Sequence, residues 1–165
     1  MEFTKHKKHK KMKNLLAILL VTLSLNGYAQ QKDLVWHTDV KKAITLSSES
    51  NKPLLMFFTG SDWCGWCIKL QKAVFSKPEF KPWANKNVIL VELDFPRRTP
   101  IDAELQKQNR ELANMFGVRG YPTIFFVTPI LKDGTVNFNK LGQQGAQPLE
   151  AKAWIAGANR ILNNK

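Results

Sequence analysis

The sequence predicts an α/β fold: a central mixed sheet with helices on both faces. Three observations carry that expectation. Apolar runs of strand length alternate with longer stretches of helical period, the pattern of strands joined by crossover helices. One run, Leu54-Leu55-Met56-Phe57-Phe58, has no polar interruption, as expected of a strand covered on both faces. Late in the chain, Asp133-Gly134 marks a tight hairpin, which adds an antiparallel edge to an otherwise parallel sheet. A chain of 165 residues, 44% hydrophobic with ten Phe and five Trp, suffices for one domain with a substantial core.

The first 29 residues read as an export signal. Met1 to Asn14 carries six Lys against one acid, Glu2. The apolar run Leu15–Leu25 follows, about half of the roughly 20 residues that cross a bilayer as a helix. Asn26-Gly27-Tyr28-Ala29 then offers small residues three and one before a cut after Ala29. The expected layout is a cleaved signal peptide, 1–29, and one domain, 30–165, periplasmic or otherwise outside the cytosol, with membrane contact only through the uncleaved signal. Of the charge of +12, the leader carries +5. Without Met1–Asn14 there remain 19 basic and 12 acidic residues, scattered rather than striped, and nucleic-acid binding is not expected.

The elements follow in order. A short strand is expected at Asp33–His37. A helix runs from Asp39 to Ser50, capped by Thr38 or Asp39, with Val40, Ala43 and Ile44 inward; Asn51-Lys52-Pro53 ends it. After strand Leu54–Phe58, Gly60-Ser61-Asp62-Trp63 makes a turn and a helix opens at Cys64. Its buried period is Cys67, Leu70, Val74, and Pro78 or Pro82 kinks or ends it. Asn87–Phe95 contains a strand and Pro96–Pro100 a loop. Asp102–Phe116 is a helix with Leu105, Leu112, Ala113, Met115 and Phe116 as its apolar face, capped by Gly117. Strands at Ile124–Val127 and Thr135–Leu141 flank the Asp-Gly turn. A closing helix spans Pro148–Leu162, with Leu149, Ala153, Trp154 and Ile161 toward the core.

The chemistry concentrates in Trp63-Cys64-Gly65-Trp66-Cys67. Two cysteines three positions apart close too short a loop to staple a fold through chain entropy. A reactive role suits them better. The thiolate is the nucleophile in disulfide exchange, and a helix N-terminus stabilises negative charge with unpaired N–H groups and its dipole. Cys64 lies at that end; Cys67 lies one turn deeper and can reach back to it. Gly65 leaves room for a partner chain. Zinc would need two more ligands, and His37 is the only histidine after the leader, so no metal is expected. Haem attachment would need His after Cys67, where Ile68 stands.

The apolar strand, the Trp-Cys-Gly-Trp-Cys motif and Val118-Arg119-Gly120-Tyr121-Pro122-Thr123 before Ile124–Val127 resemble the thioredoxin superfamily over Leu34–Leu162. Phe57–Cys64 is most similar to exported bacterial thioredoxin-like proteins. The resemblance implies a thioredoxin-like fold and an exported thiol–disulfide oxidoreductase. It would act through Cys64 and Cys67, without a bound cofactor, on exported proteins with cysteines or disulfides, recharged by a second redox protein. It implies a cis Pro122 facing the cysteines and the Tyr121 backbone pairing with the partner. Trp63 and Trp66 form an apolar contact rim, packing being the competing role of Trp63 and exposure the expectation for Trp66. Against the family pattern, the buried acid beneath the second cysteine falls on Phe58 and its companion lysine on Leu90. Asp62, Glu92, Asp94 or water would then carry the proton, and each of the three acids reads better as a solvated carboxylate than as a relay. That departure supports the alternative of a binding or holdase module with little turnover. Trp66 stands where reducing thioredoxins carry proline and disulfide isomerases histidine, so redox direction stays open. The inserted loop Phe95–Asp102, with Arg97 and Arg98, reads either as a steering element for acidic partners or, as the better expectation, as a solvated loop.

Overall fold

The computed structural model describes residues 33–163. The expected signal peptide, 1–29, lies outside the described residues. Within them, no helix is long and apolar enough to cross a membrane.

Five strands form one sheet: β1 (Trp36–His37), β2 (Leu54–Thr59), β3 (Ile89–Asp94), β4 (Thr123–Lys132) and β5 (Thr135–Gln144). Their order is β1-β3-β2-β4-β5. β1, β3 and β2 run parallel, whereas β4 is antiparallel to β2 and β5 to β4. The mixed sheet with helices on both faces is the fold read from the sequence. Asp133 and Gly134 both adopt left-handed backbone (φ 50° and 73°), the hairpin geometry whose twist suits flanking strands.

Strand alternation divides the core. Leu55 and Phe57 of β2 face one side with Cys64, Cys67, Leu70, Phe75, Phe80 and Trp154. Leu54, Met56 and Phe58 face the other with Val40, Ala43, Ile44, Leu112 and Phe116. The first side is covered by α2 (Gly65–Leu70), which runs into a π-helical turn at Gln71–Phe75, and by α3 (Phe80–Asn87) and α5 (Ala151–Asn163). The second is covered by α1 (Val40–Ser50) and α4 (Ala103–Phe116).

Caps set these helices. Asp39 accepts from the N–H groups of Lys41 and Lys42, Asp102 from those of Glu104 and Leu105, and Glu150 from those of Lys152 and Ala153. The closing helix therefore starts after Glu150 rather than at Pro148, which follows a cis peptide bond. Ala153 points to solvent; Ala151, Trp154 and Ala158 are the buried set. Met115 is likewise 59% exposed, and Asn109 takes an inward place, donating to the Asp94 carbonyl at 2.9 Å. α3 is unforeseen. Pro82 is its third residue, where the missing N–H has no intrahelical partner to lose. β4 also runs past Val127 through Pro129, because there it pairs with β5 alone.

Candidate active site

β2 delivers the chain to the site. Its last residue, Thr59, is followed by the turn Gly60–Trp63, where the Gly60 carbonyl accepts from Trp63 N–H (3.3 Å) and Cys64 N–H (2.8 Å). A Cβ on Gly60 would lie 2.5 Å from the Trp63 indole, so the bare backbone is what lets this ring fold back over the turn.

Cys64 caps α2 rather than opening it. Its Sγ accepts from Cys67 N–H at 3.2 Å, and its carbonyl accepts from Ile68 N–H at 3.1 Å. The sulfur thus occupies the place of a serine or aspartate cap oxygen, at the positive end of the helix. Cys64 and Cys67 are joined in a disulfide, with Cα atoms 5.3 Å apart. Cys67 is wholly buried, while Cys64 retains 6% of its surface, so Cys64 is the more accessible residue of the pair.

Around the pair, Gly65 is exposed, and a Cβ there would meet no atom within 4 Å. No packing requires glycine at that position, which opens to solvent. Trp66 is 49% exposed, with Lys69 Nζ 4.8 Å from its ring centroid. Trp63 is half-buried. Its Nε1–H donates to the Phe95 carbonyl at 2.8 Å, and its ring meets Tyr121 edge-on at 5.7 Å.

The Tyr121–Pro122 bond is cis. Pairing of Phe58 with Thr123 in the β2–β4 ladder brings Pro122 to the end of the sheet from which the cysteine turn departs. Both Tyr121 and Pro122 are half-buried, and burial raises the Tyr121 phenol above its ordinary range.

The carboxylates near the site divide. Asp62 is no proton relay in this arrangement: it accepts from the backbone N–H groups of Arg97 (3.0 Å), Arg98 (2.6 Å) and Thr99 (3.0 Å). Those bonds, that from Arg97 foremost, hold its carboxyl below the usual carboxylate range. Asp94 accepts from Ser61 N–H and Oγ. Glu92, by its pairing with Phe57, lies on the cysteine face of the sheet. Burial pushes its carboxyl up, and the charge of Asp94 adds to the effect. Phe58 and Leu90 lie on opposite faces, Leu90 with the cysteines and Phe58 away from them.

Sequence reasoning missed the loop that packs on this site. Phe95, Arg97 and the Asp62 bonds bring residues 95–99 against the cysteine turn across more than 30 positions of chain. Nothing local to Pro96–Pro100 signals that contact.

The comparisons with known proteins agree with this arrangement. A family model described as a thioredoxin-like domain matches residues 40–154. The disulfide bond reductase DsbH of Chlamydia pneumoniae is 38% identical over 130 residues, 79% of this chain and 74% of that protein. The thioredoxin-related protein DsbJ of the same organism is 34% identical over 118 residues, 68% of this chain. The match spans only 34% of DsbJ's own length. A solved DsbH oxidoreductase superposes with a TM-score of 0.71 at 30% identity, covering 81% of this chain and 88% of that one. By sequence and by fold, the chain belongs to the thioredoxin-like family, and its chemistry is that of a thiol–disulfide oxidoreductase.

Proposed function

We propose that this is an exported reductase of protein disulfides, in which Cys64 is the nucleophile and Cys67 the resolving thiol. The observation that carries the assignment is the capping geometry: Cys64 Sγ receives Cys67 N–H at 3.2 Å while its neighbour is sealed from solvent. In the reduced protein that N–H and the helix dipole stabilise the Cys64 thiolate. The thiolate attacks one sulfur of a substrate disulfide; that S–S bond breaks and the substrate's other sulfur leaves as a thiolate. Cys67, on losing its proton, attacks Cys64 Sγ. The mixed disulfide breaks, the substrate leaves with both cysteines reduced, and Cys64–Cys67 carries the oxidised state seen here. A second dithiol protein must return the two electrons.

The direction is supported by the name of the DsbH relative, a disulfide bond reductase. The Tyr121 backbone and Pro122, at the same end of the sheet, hold the partner chain. Gly65 and the exposed Trp66 form the face it crosses, with Trp63 behind them. Export rests on the basic and apolar leader, and the mature chain should begin at Gln30, a mass that mass spectrometry reads directly.

Insulin reduction by wild type, Cys64→Ser and Cys67→Ser tests the mechanism. Wild type should turn over, Cys64→Ser should not, and Cys67→Ser should accumulate a mixed disulfide through Cys64. Equal slow rates for wild type and Cys64→Ser, with no trapped adduct, would favour a binding or holdase module instead.

A further inference from the structure

The loop after β3 forms a platform beside the disulfide. Asp62 gathers three of its backbone N–H groups, Trp63 Nε1–H binds the Phe95 carbonyl, and the Phe95 ring lies 5.2 Å from that of Tyr121. On this platform the Arg97 guanidinium sits over the Trp63 ring, 3.7 Å from its centroid. Among the described residues, its N–H donors make no hydrogen bond and its charge no ion pair, the one ion pair being Lys81–Asp33. A guanidinium held by its face keeps its donors free in the ring plane, the geometry that receives a carboxylate in a two-pronged pair. The nearby acids do not compete, since Asp62 is engaged by backbone and Asp94 by Ser61. At the other end of the motif, Lys69 lies over Trp66, also without a carboxylate partner among the described residues. Both tryptophans flanking the cysteines thus carry a cation.

We propose that Arg97 is a specificity-determining residue that receives an Asp or Glu side chain carried by the partner protein beside its reactive cysteine. The proposal rests on the oxidoreductase reading for its biological setting and adds the charge of the substrate. Exposed ion pairs are usually weak because two long side chains must be immobilised. Stacking on Trp63 has already ordered one of them, which lowers that cost.

The test uses the full chain and three disulfide-linked peptides, identical except for Glu, Gln or Lys beside the cysteine. Wild type should reduce the Glu peptide about three- to tenfold faster in kcat/KM than the Gln peptide, between the worth of an exposed and a bidentate pair. The Lys peptide should be slowest, and the preference should shrink toward one in about 1 M salt. Arg97→Gln should abolish the Glu-over-Gln ratio, and Arg97→Lys should keep part of it. Equal ratios in wild type and Arg97→Gln would overturn the proposal. The same peptides with Ser for Cys cannot react and are titrated by NMR. The Glu peptide should bind wild type more tightly than Arg97→Gln, and equal affinities would also overturn it. If no peptide were reduced but this binding difference remained, the reductase assignment would fall and the Arg97 site would stand.

Discussion

Substituting Gly60 with alanine probes the packing that sets the cysteine turn. Its φ lies outside the left-handed region, so by backbone entropy alone alanine would stabilise by about 0.4–1 kcal/mol. The added methyl, however, would lie 2.5 Å from Trp63 Cε2 and Nε1 and 2.8 Å from Cζ2. The indole is held on three sides, by Phe95 O at 2.8 Å, Arg97 at 3.7 Å and Tyr121 at 5.7 Å. If it stays, overpacking costs about 1–3 kcal/mol. If it swings out, the protein loses a hydrogen bond of about 1 kcal/mol, an aromatic pair of about 0.5–1.5 and a cation–π contact of about 0.5–1. The two routes give similar costs. After the alanine gain, the net expectation is about 0.5–2.5 kcal/mol of destabilisation. In urea that lowers the midpoint by about 0.3–1.2 M at an m-value near 2 kcal/mol/M.

Equilibrium unfolding of the oxidised protein measures this, and a Trp63→Ala background isolates the cause. With the ring gone, Gly60→Ala should become neutral or stabilising, a strong departure from additivity. A midpoint for Gly60→Ala equal to or above that of wild type would refute the reasoning. So would the same loss in both backgrounds.

Two further perturbations reach beyond the turn. Trp154 is fully buried against Phe75, Phe80, Trp83 and Phe126, with its Nε1–H on the Gly145 carbonyl at 3.0 Å; Trp154→Ala should cost about 3–5 kcal/mol in urea unfolding, and a loss below about 1 kcal/mol would contradict the packing. Glu92→Gln should raise Tm at pH 7 and leave it unchanged below the ordinary glutamate range. Burial and Asp94 raise the folded carboxyl's pKa, so the folded state binds the extra proton. Stability from this group is then complete at low pH and lost as pH rises through the folded value. An unchanged or lower Tm at pH 7 would refute that assignment.

Much of this fold is legible in the sequence because local and tertiary demands coincide. Leu54–Phe58 reads as a doubly buried strand, and all six residues of β2 are buried. Cys67, Leu70 and Val74 keep their period and are fully covered. The misreadings arise where local signals conflict with context. Pro82 looks like a helix breaker but sits in the first turn of α3, with Phe80 and Ala84 one turn apart in the core. Pro129 looks like a strand terminator, yet β4 continues past it where no third strand needs its N–H. Met115 and Ala153 are apolar residues left in solvent, since hydrophobicity permits burial without compelling it.

The site shows the same division, and its polar groups show why linear alignment fails there. The period of a strand is two, so one step along β2 changes the face on which a side chain falls. Phe58, at the position of the family's buried acid, packs against Phe116 and Phe125, away from the cysteines. One residue on, Thr59 is buried on the cysteine face with an Oγ1 that finds no partner among the described residues. On β3 the same shift separates Leu90, an apolar core residue, from Glu92, two positions along that face. Polar character on the cysteine face of the sheet is therefore kept by residues 59 and 92, although positions 58 and 90 are apolar. The absence of the family's acid at its aligned position does not leave the cysteine face without a carboxyl, because Glu92 lies there, held above the usual carboxylate range by burial first and the charge of Asp94 second.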